Sequence, residues 1–172
     1  MKKVLETDRL LLRELTVEDA VNFYKLNENP NVIRYTGDSP FEDIEEAYAF
    51  LQNYKDYEVN GYGRWAVIDQ SSHEFLGWCG LKYDRSKDET DIGFRFFEEH
   101  WNKGLATESA AACLKYGFEQ LNLKKIVGRA MSDNIASIMV LQKLGLTFDK
   151  EFDFDGHKGF IFTIQKTDRK LG

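Results

Sequence analysis

The segment 91–118 constrains the fold of this chain more than any other part. Apolar residues alternate with other residues at Ile92, Phe94 and Phe96, which predicts a strand, and an alanine-rich helix follows through a short polar turn. The apolar run at 125–131 predicts the next strand. A strand, a helix and a second strand in this order predict one parallel pair in a sheet, with the helix as the crossover.

The turn before this helix has the composition of an anion site. It runs from Lys103 through Gly104 to Thr107, where the helix begins. The first N–H groups of a helix lack intrahelical partners and carry the positive end of its dipole. Gly104 has no Cβ to keep a ligand away, and Lys103 adds a positive charge. The turn therefore predicts a phosphate-bearing ligand held by main-chain groups, although an ordinary helix start also needs small or polar residues.

Hydrophobic spacing, caps and turn residues predict the other elements. The predicted order is β-α-α-β-β-β-α-β-α-β-β, which indicates an α+β fold with a mixed, mostly antiparallel sheet in a single domain, 1–172, with its core at about 6–165. Further strands are predicted at 10–14, 64–69, 75–83, 148–154 and 159–165, and further helices at about 16–27, 41–57 and 134–144.

Composition excludes several classes of protein. A chain of 172 residues with 42% apolar residues can bury one core, and its net charge of −6 disfavours direct binding to nucleic acid. Neither an apolar run of membrane-spanning length nor a signal-peptide core is expected, which favours a cytoplasmic protein. The histidines have no metal-ligand spacing, so no metal is predicted. Cys79 and Cys113 are interpreted as reduced, buried side chains.

Three motifs resemble those of the GNAT N-acetyltransferase superfamily. WNKGLATES at 101–109 resembles its acetyl-CoA motif, with Gly104 and Ala106 at the two small positions and Trp101 where arginine or glutamine is common. Two other segments are similar to the ribosomal-protein-alanine N-acetyltransferase branch. They are TDRLLLRELTVEDA at 7–20, and NIAS at 134–137 with the Lys-Leu-Gly that follows at 143–145. The resemblance implies a twisted sheet with helices on both faces.

The resemblance also implies acetyl-CoA as co-substrate. Its pyrophosphate would lie on the N–H groups of 102–107, and its pantetheine beside the strand at 94–97, where the neighbouring strand splays away. The amine would attack the thioester directly, so no cysteine nucleophile is required. The expected acetyl-CoA-binding residues are Phe96, Phe97, Asn102, Lys103, Gly104, Leu105, Ala106, Thr107, Asn134, Ser137 and Lys143. Of these, Asn134 is also a plausible helix cap, and Lys143 could instead be an exposed lysine.

The predicted catalytic residues are Ser137 and Asp91. Many similar proteins carry a tyrosine that protonates the departing thiolate at the position of Leu141, which cannot donate a proton. The resemblance gives Ser137 that role, as proton donor or hydrogen-bond donor, against the alternative of an ordinary helix serine. Asp91 is the first candidate for the base that deprotonates the amine, with Glu89 or a water chain as alternatives. A solvated carboxylate at a strand end is the competing interpretation of Asp91.

The acceptor site is predicted less specifically. Tyr35, Asp38, Trp78 and Tyr83 could line it, since aromatic rings with a carboxylate suit a cationic amine, but Trp78 and Tyr83 could equally be strand packing. The acceptor could be a peptide N-terminus, a polyamine or an antibiotic, and the protein could form a homodimer. The alternatives from other classes are a non-catalytic acyl-CoA-binding module and a nucleotide-binding protein. The second is disfavoured, because the chain lacks the glycine motifs of nucleotide-binding proteins.

Overall fold

An eight-stranded mixed sheet in the order β1-β2-β3-β4-β5-β6-β8-β7 organises residues 2–169, which a computed structural model describes. The strands are β1 Lys3–Glu6, β2 Leu10–Glu14, β3 Arg64–Asp69, β4 Phe75–Asp84, β5 Glu89–Phe96, β6 Lys125–Met131, β7 Thr147–Phe154 and β8 His157–Gln165. The predicted α+β fold with a mostly antiparallel sheet is confirmed.

Helices cover both faces of the sheet. They are α1 Ala20–Glu28, α2 Pro30–Ile33, α3 Ile44–Gln52, α4 Asp56–Asn60, α5 Leu105–Glu119 and α6 Ile135–Lys143. Side chains of α5 and α6, such as Phe118 and Leu141, share one apolar cluster with the sheet residues Trp65 and Ile126. Side chains of α1 and α3 pack against the opposite face in a second cluster. Within the described residues, no helix is both long and apolar enough to cross a bilayer.

The predicted crossover is present, and its two strands separate early. Strands β5 and β6 are parallel, as predicted, but their ladder contains a single residue pair, Asp91 with Val127. By contrast, β5 pairs with β4 along its whole length, from Glu89 to Phe96. The edge of β5 beyond Asp91 therefore opens toward a gap in the sheet.

The secondary structure differs from the prediction in three places. Neither the short helix α2 nor β1, which pairs antiparallel with β2 at the edge of the sheet, was predicted. The helix predicted at 41–57 is divided into α3 and α4. The Tyr57 hydroxyl accepts from the Leu15 N–H at 2.9 Å and donates to the Arg64 carbonyl, and the Tyr54 hydroxyl accepts from the Arg64 N–H at 2.8 Å. These bonds attach both tyrosines to strand ends, and the chain leaves the helical path at 53–55, between α3 and α4.

Candidate active site

The turn before α5 exposes the first N–H groups of the helix. Asn102 and Gly104 have φ angles of 60° and 76°, and Gly104 is the N-cap residue of α5, without a side-chain cap. A Cβ added at Gly104 would meet only the Arg9 guanidinium, at 3.6 Å, among the described atoms. A helix start that is uncapped, open and in the left-handed region suits main-chain contact with an anion, as the sequence predicts.

An ion pair not foreseen from the sequence holds this turn to the segment just before β2. Glu108, in the first turn of α5, accepts hydrogen bonds from the Thr7 hydroxyl at 2.6 Å and from Arg9 Nε at 2.7 Å. Arg9 Nη1 also donates to the Lys103 carbonyl at 3.1 Å. Burial would raise the pKa of Glu108, but these hydrogen bonds outweigh it and hold the pKa below its usual value. Arg9 thus places a second positive charge at the turn.

A cavity of about 260 Å³ lies where β5 and β6 separate, and it is called the β5–β6 cavity below. Alternation along a strand places Ile92 and Phe94 toward α5 and α6, and Asp91 and Arg95 toward the opposite face. Both sets line this one cavity, so it passes through the sheet. Its lining residues are Tyr35, Thr36, Arg64, Trp78, Asp91, Ile92, Gly93, Phe94, Arg95, Arg129, Ala130, Asn134, Ser137, Leu141 and Phe154.

On one side the cavity is bounded by the start of α6. Asn134 caps this helix, and its side-chain oxygen accepts from the Ser137 N–H at 3.3 Å. Ser137 is half-buried at the cavity wall. Leu141 is almost fully buried against Gly128, where an added Cβ would come within 2.6 Å of the leucine side chain. The wall therefore has one hydroxyl, on Ser137, and no phenol at position 141.

On the other side of the sheet, Asp91 lies between two arginines. Its Oδ1 is 2.7 Å from Arg64 Nη2, and its Oδ2 is 3.2 Å from Arg129 Nη1. Arg129 also pairs with Glu89 at 2.6 Å. Both carboxylates that the sequence nominates as bases are thus members of one ion-pair network. An ammonium group would have to compete with two guanidinium groups for the Asp91 oxygens.

A third arginine and Trp78 complete this wall. The guanidinium carbons of Arg64 and Arg95 lie 5.3 and 5.2 Å from the centre of the Trp78 ring, which is cation–π geometry. Arg95 donates to Asn27 Oδ1 at 2.9 Å and to Asp38 Oδ2 at 2.8 Å. Gly93 leaves room for Arg64, because an added Cβ would be 2.7 Å from its guanidinium carbon. We call Arg64, Arg95 and Arg129 the arginine cluster.

Five predicted site residues line this cavity. They are Asp91 and Ser137 of the predicted catalytic residues, Tyr35 and Trp78 of the predicted acceptor site, and Asn134 of the predicted acetyl-CoA site.

Five predicted residues have other surroundings. Asp38 is outside the lining and paired with Arg95, and Tyr83 donates its hydroxyl to Asp88 at 2.7 Å, away from the cavity. The Phe96 side chain is buried in the core, and its carbonyl already accepts from Trp101 Nε1 at 2.9 Å. Phe97 packs edge-on against Phe75. Lys143 is exposed at the end of α6.

The cysteine and histidine residues are not among those that line the cavity. Cys79 and Cys113 are free and buried, with 3.7 Å between their sulfurs, and burial raises the pKa of the Cys113 thiol. A buried thiol of this kind is a poor nucleophile. The ligand atoms of His100, Glu74 and Glu99 lie within 4.8 Å of one another, but both carboxylates are exposed.

Comparison with known protein families shows which family has this arrangement. The sequence model described as the Acetyltransferase (GNAT) domain matches residues 9–147, which include the β2 segment, the β5–β6 crossover and α6. The chain belongs to the GNAT acetyltransferase family.

Curated GNAT relatives extend this similarity over nearly the whole chain. The uncharacterized N-acetyltransferase p20 of Bacillus licheniformis is 31% identical over 167 residues, covering 94% of this chain and 93% of that protein. The uncharacterized N-acetyltransferase YoaA of Bacillus subtilis (strain 168) is 35% identical over 153 residues, covering 88% of this chain and 85% of that protein. Membership of this family makes the protein an acetyl-CoA-dependent acetyltransferase that acts on an amine.

Solved GNAT structures share the fold. A GNAT-family acetyltransferase from Bacillus anthracis superposes with a TM-score of 0.82 at 22% identity, covering 95% of this chain and 98% of that chain. Spermidine N-acetyltransferase from Vibrio cholerae, in complex with CoA and spermine, gives 0.79 at 22% identity, covering 94% and 98%. Ribosomal-protein-S5-alanine acetyltransferase from Vibrio fischeri gives 0.79 at 19% identity, covering 97% and 98%.

Proposed function

We propose that this GNAT enzyme joins acetyl-CoA and a primary amine in one ternary complex, within the β5–β6 cavity, and that the amine attacks the thioester directly. The observation that carries the proposal is the course of the cavity through the sheet. Two reactants can approach it from opposite faces and meet between β5 and β6. Holding two reactants in this way removes much of the entropic barrier to their reaction.

The residues available for acetyl-CoA fit its shape and charge. The uncapped start of α5, with Lys103 and Arg9 beside it, suits the pyrophosphate, and the open edge of β5 suits the pantetheine. Acetyl-CoA supplies the activated acetyl group. On the α6 side, Ser137 is the hydroxyl that can donate a hydrogen bond to the sulfur of the leaving group, because Leu141 cannot.

Asp91 remains our candidate for the group that receives the proton of the amine, with Glu89 behind it. Both Asp91 oxygens face arginines, so the proton reaches this carboxylate through a water or after a guanidinium moves. The pH–rate profile of Asp91→Asn tests this role. We expect the acidic limb of the wild-type profile to disappear in the variant, and a profile that keeps this limb excludes Asp91 as the base.

Two acceptor classes have support from the comparisons. The motifs at 7–20 and 134–137, together with the likeness to the ribosomal-protein-S5-alanine enzyme, favour a protein or peptide N-terminus. The likeness to spermidine N-acetyltransferase favours a small amine.

The experiment that tests the proposed function is amine-dependent release of the CoA thiol by wild type and by Ser137→Ala. We expect wild type to release thiol when an amine is added, and we expect the variant to lose about tenfold or more in kcat with little change in the KM for acetyl-CoA. Ser71→Ala, in the exposed β3–β4 turn, is the matched control and should behave as wild type. CoA binding without amine-dependent release would instead indicate a non-catalytic acyl-CoA-binding module.

A further inference from the structure

The charged groups that line the β5–β6 cavity are mostly positive. Of the described lining residues, three carry a guanidinium group, namely the arginine cluster, and only Asp91 carries a carboxylate. Asp38 follows Gly37 in the sequence, and the Asp155 side chain lies close to Gly37, but both aspartates are exposed and outside the lining. Each guanidinium is paired with a carboxylate, Asp91, Glu89 or Asp38, so a polyamine would have to displace an arginine to reach any of these three carboxylates.

The three arginines differ in how firmly their partners are built into the protein. Arg64 and Arg129 hold Asp91, whose side chain is only 19% exposed and belongs to a strand. The Arg95 side chain is 11% exposed, as is that of Arg129, but its ionic partner Asp38 is 54% exposed. Asp38 follows Gly37 in the loop between α2 and α3. A carboxylate on a ligand can take the place of such a loop residue at little structural cost.

We propose that the acceptor is a primary amine that also carries an anionic group, a carboxylate or a phosphate, and that Arg95 binds this group in place of Asp38. The proposal rests on the proposed function, since it assigns the acceptor of the same site. Arg95 has a planar fork of donors that suits bidentate contact with either anion. The Trp78 ring holds the Arg95 guanidinium through the cation–π contact.

The position of Arg95 also orients the acceptor. Asp91 and Arg95 lie on the same face of β5, four residues apart, which separates their Cα atoms by about 13 Å. Asp91 is close to the end where β5 still pairs with β6, and Arg95 is farther along the open edge. An acceptor whose anionic group binds Arg95 therefore has its amine on the Asp91 side, in the part of the cavity that the start of α6 bounds.

The test compares acceptors that differ only in the anionic group, by the kcat/KM for release of the CoA thiol. The first pair is alanyl-alanine and its C-terminal amide, and the second is 2-aminoethyl phosphate and ethanolamine; spermidine is the polycation. We expect the anionic member of at least one pair to exceed its neutral partner by about tenfold or more, and spermidine to be poor. Preference within the first or the second pair distinguishes a carboxylate from a phosphate.

Three variants assign the preference to its residue. Arg95→Gln should bring the ratio of anionic to neutral acceptor close to one, and Arg95→Lys should restore part of it. Asp38→Asn removes the competing carboxylate and should raise the ratio. Arg85→Gln removes the same charge from the exposed β4–β5 turn and should keep the wild-type ratio. The ratio is the readout, because a merely structural role of Arg95 would lower both rates together.

Equal rates within both pairs, a preference for spermidine, or an unchanged ratio in Arg95→Gln would overturn the proposal. If Arg95→Gln does not fold, Asp38→Asn decides: a raised ratio supports the proposal, and an unchanged ratio overturns it. Turnover of neutral amines or spermidine without anion preference leaves the proposed function standing. Absence of thiol release with every amine overturns the proposed function as well.

Discussion

Replacing Arg9 with glutamine tests how the turn before α5 binds the diphosphate of CoA. The change removes the positive charge beside Gly104, the ion pair with Glu108 and the hydrogen bond to the Lys103 carbonyl, and it leaves a polar side chain in place. We expect weaker CoA binding for two reasons, the lost charge and the loosened turn.

The size of the charge effect follows from the position and exposure of Arg9. Its guanidinium lies 3.6 Å from the place of a Gly104 Cβ, and its side chain is 49% exposed. A phosphate charge about 6 Å away, at a dielectric constant of about 50, gives about 1 kcal/mol, and the two charges of a diphosphate give about 2 kcal/mol. The dissociation constant for CoA should therefore rise about five- to thirtyfold.

Calorimetric titration of CoA at low ionic strength measures this constant. Arg85→Gln is the control, because it changes the net charge equally at a distant exposed turn and should bind CoA as wild type does. The effect of Arg9→Gln should shrink as salt is added, since exposed charges are screened. Wild-type affinity of Arg9→Gln at low salt would refute the placement of the diphosphate beside Arg9.

Three other changes test neighbouring parts of the account. Gly104→Glu places a carboxylate in a left-handed residue at the anion site and should abolish CoA binding in the same titration; retained affinity would exclude the site. Gly93→Ala should push the Arg64 guanidinium aside and raise the KM for the amine more than that for acetyl-CoA; an equal rise would indicate a general defect. The pKa of Glu108 is lowered from 4.5, against the effect of burial, by hydrogen bonds from segment 7–9, so its ionised form stabilises the native state. This contribution is complete above pH 4.5 and is lost as the pH falls through the pKa of Glu108 in the native state. Below pH 4.5, the urea unfolding midpoint should therefore depend less on pH in Glu108→Gln than in wild type. An equal pH dependence of the two midpoints would exclude this role.

Local sequence signals were sufficient for the parts of the site that depend on one segment. The glycine turn, the helix after it and the cap on α6 each need only a few consecutive residues, and the structure has all three. The alternation of Ile92, Phe94 and Phe96 in β5 also implies that Asp91 and Arg95 share the opposite face of the strand.

The arginine cluster could not be predicted in the same way. Its members come from three strands, and they meet only because Gly80 of β4 pairs with both Arg64 and Gly93, and Arg129 lies two residues beyond the single β5–β6 pair. Strand register sets these contacts, and no local pattern in the sequence reveals register between distant strands. The division of the 41–57 helix has a similar cause, since its tyrosines bond to distant strand ends.

The central claim is direct transfer between two reactants held together in the β5–β6 cavity. Initial rates with acetyl-CoA and an accepted amine both varied, combined with the intact mass of the enzyme after acetyl-CoA alone, test it most directly. The account predicts intersecting double-reciprocal lines and no acetylated chain. Parallel lines, together with an acetyl group on Cys79, Cys113 or Ser137, would contradict it.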